Sequence, residues 1–195
     1  MKPLSELTLA ELWQLFPIEL VPHNPAWARW YVEAAAELNA LLGDGIVRLC
    51  HIGSTAVPGL EAKPIVDLLL EVEPASDQTA LLEALAGAGW LVMNRQAGSN
   101  WRIDLNRGYT PQGLAERVFH LHVVPPGDHA ELYFRDWLLD HPETCAAYQA
   151  LKRDLALRFR HDRDAYTQAK TALIEAAVAE ARRALPGRYA QPAEG

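Results

Sequence analysis

His51-Ile52-Gly53-Ser54-Thr55-Ala56-Val57-Pro58-Gly59-Leu60, followed by Lys63-Pro64-Ile65-Val66-Asp67-Leu68-Leu69-Leu70, is the stretch on which the fold turns. The apolar run Ile46 to Ile52 predicts one core strand and Ile65 to Val72 a second, with a turn of small residues between them. Gly53-Ser54 after a strand leaves backbone N–H groups and a hydroxyl where an anion can settle, and Lys63 adds positive charge nearby. The pair lacks the glycine-lysine-serine/threonine ending of a P-loop and the glycine pattern of dinucleotide folds. A plain strand-to-strand turn is the competing reading.

Asp67 is harder to explain as scaffold. At a period of two, Ile65, Asp67, Leu69 and Glu71 face one way, and Val66, Leu68, Leu70 and Val72 the other. A carboxylate in such a strand costs several kcal/mol if it is buried alone. It requires a hydrogen-bonding partner, a metal ion or an opening to solvent. Glu71 is a second candidate metal ligand, with a solvated strand edge as its alternative. His120-Leu121-His122 puts two imidazoles on one side of another strand, roughly 7 Å apart between Cα atoms, and His51 ends the first strand. If these strands neighbour Asp67, the side chains surround one site suited to a metal, a phosphate or proton transfer.

Further cations lie in the C-terminal part. Tyr148 and Lys152 are four apart on one helix face, and Tyr166 and Lys170 repeat that spacing on the next. Arg135 stands among Tyr133, Phe134 and Trp137. Lysines snorkelling over aromatic rings are the alternative to ligand contact. The repetition favours two faces enclosing a cleft.

The chain has 195 residues, 50% apolar and 22% charged, with a formal net charge of −7. That length supports one sizeable core. The acidic balance argues against general nucleic-acid binding and leaves room for a small anionic ligand in a local basic pocket. Cys50 and Cys145 lack zinc-like spacing. Leu7 to Leu20 is interrupted by Glu11, Gln14, Pro17 and Glu19, and no stretch nears the roughly 20 apolar residues of a membrane span. With no leader pattern, the expectation is a reduced, cytoplasmic protein without a membrane partner.

Thr8 to Phe16 predicts a short helix, and Asn24-Pro25 opens a longer one running to Gly43. Pro74 and Ser76 introduce a helix that ends at Gly89. Strands follow over Trp90 to Arg95, Trp101 to Asn106 and Val118 to Val124, with loops at Gly98-Ser99-Asn100 and Gly108 to Gly113. Helices are expected over Leu132 to Leu139, Pro142 to Phe159 and Asp162 to Leu185. The domain plan is a helical extension over 1–17, an α/β core over 18–126, helices packed on it over 127–185 and a flexible tail over 186–195.

The chain resembles the GrpB family, which is placed in the nucleotidyltransferase superfamily. The resemblance rests on Val21-Pro22-His23-Asn24-Pro25-Ala26-Trp27, the two stretches quoted at the outset, Phe119-His120-Leu121-His122-Val123, and Tyr133-Phe134-Arg135-Asp136-Trp137-Leu138 through His141-Pro142. It implies an α+β, nucleotidyltransferase-like fold: a small mixed β-sheet flanked by helices, with a C-terminal helical segment. Related domains also occur joined to dephospho-coenzyme A kinase, which points toward nucleotide or coenzyme metabolism. The superfamily pattern matches at Gly53, Ser54 and Asp67, but Leu69 stands where a second carboxylate is expected. Glu71, Asp104 or a histidine is the available substitute.

On the transferase reading, Gly53, Ser54, Lys63, Arg135, Lys152 and Lys170 bind a nucleoside triphosphate. Asp67 and Glu71 hold Mg²⁺ or Mn²⁺, and Asp67, His120 and His122 carry the chemistry of transfer to a small molecule or protein. A binding module without transfer is the alternative, and hydrolysis at a histidine-bound transition metal is a third.

Overall fold

The computed structural model describes residues 2–73 and 76–190. Helix α1 (Leu9–Leu15) is started by a reciprocal cap, Glu11 N–H to Thr8 Oγ1 at 3.2 Å and Thr8 N–H to Glu11 Oε2 at 2.8 Å. Helix α2 (Ala26–Leu42) begins where Asn24 Oδ1 accepts from Ala26 N–H, and ends at Gly43 with φ +57°. Strands β1 (Ile46–Ile52) and β2 (Val66–Val72) flank the small-residue turn. After them come α3 (Gln78–Gly87), β3 (Leu91–Gln96), β4 (Arg102–Thr110) and β5 (Gly113–Val124). The C-terminal part holds α4 (Ala130–Asp140), α5 (Pro142–Arg158), α6 (Arg163–Gln168) and α7 (Thr171–Ala184).

The five strands form one sheet in the order β1-β2-β5-β4-β3, with β2 and β5 parallel and the other pairs antiparallel. This is an α+β arrangement: a small mixed sheet with helices on both faces. Alternation along β2 sorts the two faces. Val66, Leu68, Leu70 and Val72 join Phe119, Leu121 and Val123 beneath Trp27, Trp30, Leu38 and Leu85 of α2 and α3. Burying each such large side chain is worth about 1.5–3 kcal/mol, and this layer holds the sheet rigid. The opposite face carries Asp67, Leu69 and Glu71 toward the C-terminal helices.

Three local expectations are corrected. Asp77 caps α3, its Oδ1 accepting from Thr79 and Ala80 N–H at 2.8 and 3.2 Å. Pro74 lies outside the described residues. The supposed loop from Gly108 to Gly113 is a hairpin, because Tyr109 pairs with Leu114 and Thr110 with Gly113. Gly108, at φ +97°, forms a bulge so close to its partner strand that a Cβ would meet Arg117 O at 2.3 Å. The expected helix from Asp162 to Leu185 is two helices, α6 and α7, although no glycine or proline marks the break. Of the tail expected over 186–195, Tyr189 packs edge-on against Tyr133 with ring centroids 5.0 Å apart. Residues 191–195 lie outside the described part. No helix among the described residues is long and apolar enough to cross a membrane.

Candidate functional site

β2 and β5 run side by side with Asp67 level with His120 and Leu69 level with His122. His122 thus stands beside the position where a second carboxylate was expected. Asp67 Oδ1 lies 3.1 Å from His120 Nδ1 and 3.8 Å from His122 Nε2. Each imidazole is also held from behind. His122 Nδ1 is 2.7 Å from Asp104 Oδ1 on β4, and His120 Nε2 is 2.8 Å from the Tyr109 hydroxyl. Arg102 steadies Asp104 at 2.7 Å and reaches Glu131 of α4, also at 2.7 Å. Arg163 of α6 donates to the Tyr109 hydroxyl at 3.0 Å.

These contacts set the charges. Burial pushes the Asp67 carboxyl up, but hydrogen bonding to His120 and His122 outweighs it and holds it well below the usual carboxylate range. Asp104 is likewise low, because His122 and Arg102 overcome its burial. Burial lowers His120 despite Asp67, whereas His122, facing both carboxylates, is raised.

Asp67, His120 and His122 are able to hold a metal ion: one donor atom from each lies within 4.8 Å of the others. The donor chemistry fits. Two imidazoles are donors that a borderline ion such as Fe²⁺ or Zn²⁺ takes best, whereas Mn²⁺ and Mg²⁺ draw mainly on the Asp67 carboxylate. The Asp104 and Tyr109 contacts on the far ring nitrogens are the outer support that ligating histidines usually have.

Behind Asp67 lies a cavity of about 480 Å³ lined by the Gly53–Thr55 turn, Lys63, Lys152, Lys170 and Tyr148, among others. Gly53, at φ +69°, packs directly on the Asp67 carboxylate. Lys152 is 2% exposed and donates to Ser54 Oγ at 3.1 Å and to the Glu61 carbonyl. Lys170 Nζ sits 4.3 Å from the centre of the Tyr166 ring. Burial, then repulsion from Arg163 and Lys170, lowers Lys63 to about 7, and burial, then repulsion from Lys170, lowers Lys152 to about 7. Burial lowers Lys170 to about 8, opposed by Asp67. The cavity sets three lysines against the Asp67 and Glu131 carboxylates and is poised to gain protons when an anion enters.

Two anticipated site residues are elsewhere. Arg135 is consumed by structure: it binds Asp136 at 2.7 Å, the His51 carbonyl at 3.0 Å and the Tyr189 hydroxyl at 3.1 Å. Its neighbours claim the guanidinium before any phosphate does. Glu71 is fully buried beside Arg48 at 3.3 Å and His129 at 3.4 Å, and is not part of the Asp67 group. Four residues beyond Asp67 on β2, it meets Arg48 and His129 instead. His51 pairs in register with Leu68 on the opposite face and stacks on Tyr31. Tyr109, Arg163, Arg102 and Glu131 escaped the sequence reading. The bulge at Gly108 hides the alternation that would have aligned Tyr109 with the histidines.

The GrpB protein family model matches residues 17–180, and the chain belongs to that family. UPF0157 protein PA4798 of Pseudomonas aeruginosa is 38% identical over 159 residues, covering 80% of this chain and 64% of that protein. A protein of Mycolicibacterium paratuberculosis named dephospho-CoA kinase is 29% identical over 176 residues, covering 79% of this chain and 43% of that one. The chain thus spans less than two thirds of the length of either relative. Among solved structures, the conserved protein GrpB from Enterococcus faecalis superposes with a TM-score of 0.74 and 29% identity, over 85% of this chain and 98% of that one.

Proposed function

We propose that this protein is a metal-assisted nucleotidyl or phosphoryl transferase, with a nucleoside triphosphate as donor and a small molecule or protein as acceptor. One observation carries the reading: three lysines and the Gly53-Ser54 turn line the same cavity as Asp67, His120 and His122. Lys63, Lys152 and Lys170 bind the polyphosphate, taking up the protons that burial had displaced. Lys152 orients the Ser54 hydroxyl, and Gly53 leaves the space in which the Asp67 carboxylate lies. A divalent ion, Mn²⁺ or Mg²⁺, held by Asp67, His120 and His122 supplies charge neutralisation for phosphate oxygens. Asp104 and Tyr109 keep the two imidazoles in place. A cytoplasmic setting accords with the free thiols of Cys50 and Cys145.

A second reading, anion binding without transfer, is favoured by Leu69. It is fully buried among Ile52, Val124 and Leu132, so the second carboxylate of the superfamily pattern is absent from that position. ATP labelled separately at the α- and γ-phosphates, incubated with the protein, Mn²⁺ and a small-molecule extract, separates the readings. Transfer of α-label with pyrophosphate release supports nucleotidyl transfer, and transfer of γ-label supports phosphoryl transfer. Stoichiometric ATP binding with all label recovered as ATP supports the second reading.

A further inference from the structure

We propose that a second cavity, across His120 and His122 from the lysines, binds a small uncharged amphipathic molecule. Its ligand has an apolar ring or short chain and a head group, such as an alcohol, that both donates and accepts a hydrogen bond. On the transferase reading this ligand is the acceptor, and that role rests on that reading; the binding does not.

The cavity, about 680 Å³, lies between the N-terminal segment and the β3–β4 side of the sheet. This is ample for a small ligand. Its walls include Leu12 and Trp13 of α1 facing Leu91 and Met93 of β3. Leu91 and Met93 are 55% and 60% exposed, an apolar wall open to an entering molecule. The floor is polar and bears on the candidate metal group, because His120 and His122 line this cavity as well as the first.

The floor contains two unanswered atoms. Asn106 is 4% exposed, and its Oδ1 is buried without a hydrogen-bond partner. Arg163 Nε is likewise buried and unpartnered, although its other end holds the Tyr109 hydroxyl. Both residues line this cavity, and a ligand group that parts the wall over either atom gains a hydrogen bond the protein lacks, as acceptor to the Arg163 N–H or donor to the Asn106 carbonyl. Asp104 and Asp164 on this lining stand against Arg163 and no lysine, so the cavity has no surplus of positive charge for a polyphosphate. The two cavities therefore select different chemistries, an anion on the lysine side and an uncharged amphipath on this one.

The test titrates the full chain with 2-phenylethanol and, in parallel, with ethylbenzene, which has the ring without the hydroxyl. The Trp13 indole N–H and the Met93 methyl are followed by NMR. Saturable shifts with 2-phenylethanol, and binding at least about fivefold tighter than ethylbenzene, are expected from the extra hydrogen bonds. Asn106→Leu is expected to erase that preference, and Met93→Glu, at an exposed position that leaves the core intact, to weaken both probes. No saturable shift at either reporter, or equal affinity for the two probes, overturns the proposal. So do shifts that depend on protein concentration alone, since a second copy then covers the face. ATP with Mn²⁺, titrated into the same samples and read at the Ile174 methyl, keeps the two claims apart. ATP binding without 2-phenylethanol binding sinks the subsite alone, and the reverse sinks the transferase reading alone.

Discussion

A Cβ placed on Gly53 would fall 2.5 Å from Oδ2 of Asp67. The turn after β1 and the carboxylate on β2 are thus in direct contact, and glycine is required twice over. Its φ of +69° disfavours any side chain, and its missing Cβ is where the carboxylate lies. Gly53→Ala is expected to cost about 1–3 kcal/mol from backbone strain alone and to displace Asp67. Thermal unfolding together with Mn²⁺ binding checks this. An alanine variant with unchanged melting temperature and unchanged metal affinity would mean that the contact is unimportant.

Asp104 acts through His122. Asp104→Asn removes the charge that orients the imidazole at 2.7 Å, and metal affinity is expected to fall about 10–100-fold. Titration of Mn²⁺ by electron paramagnetic resonance reads the change. The His122 pKa should fall with it, since Asp104 is a leading cause of its elevation.

The lysine cavity is expected to impose a pH dependence. Lys63 and Lys152 near 7, and Lys170 near 8, bind an anion only when protonated. ATP affinity should weaken as pH rises from about 6.5 to 9, and binding near pH 7.5 should take up protons. Calorimetric heats that vary with the ionisation enthalpy of the buffer would reveal that uptake. Without ligand the sign reverses. Unfolded lysines, with pKa about 10.4, bind more protons than the folded ones, so these groups make stability rise between about pH 7 and 10. Lys170→Met should flatten that slope.

Arg135 and Glu71 are expected to behave as scaffold. Arg135→Ala strips hydrogen bonds from the His51 carbonyl and Asp136, with an expected cost of about 1–3 kcal/mol. Glu71→Gln disturbs the contacts with Arg48 and His129. Both variants should bind ATP as the native protein does, and a large loss of affinity in either would return that residue to the site.

The division between what was readable and what was not follows from range. Alternation marked Asp67 as out of place in its strand, and the same rule put His120 and His122 on one side of theirs. The Tyr148/Lys152 spacing marked a helix face that lines the cavity, and Tyr166 and Lys170 line it too, although Lys170 lies in the junction between α6 and α7. Arg135 looked available because nothing local reveals that Tyr189, far along the chain, shares its guanidinium with Asp136. Tyr109 was hidden for the opposite reason: the register slips between Arg107 and Tyr109, where Gly108 of β4 stands against four residues of β5. The pairing of β2 with β5, which assembles the candidate site, is non-local and has no signature in either segment.

The central claim is that an ion at Asp67, His120 and His122 is coupled to an anion among the lysines. Calorimetric titration of ATP with and without Mn²⁺, on the native protein and on Asp67→Asn, tests it most directly. Mn²⁺ is expected to tighten ATP binding at least about tenfold, or about 1.4 kcal/mol, in the native protein and not in the folded variant. Equal tightening in both proteins would contradict the account.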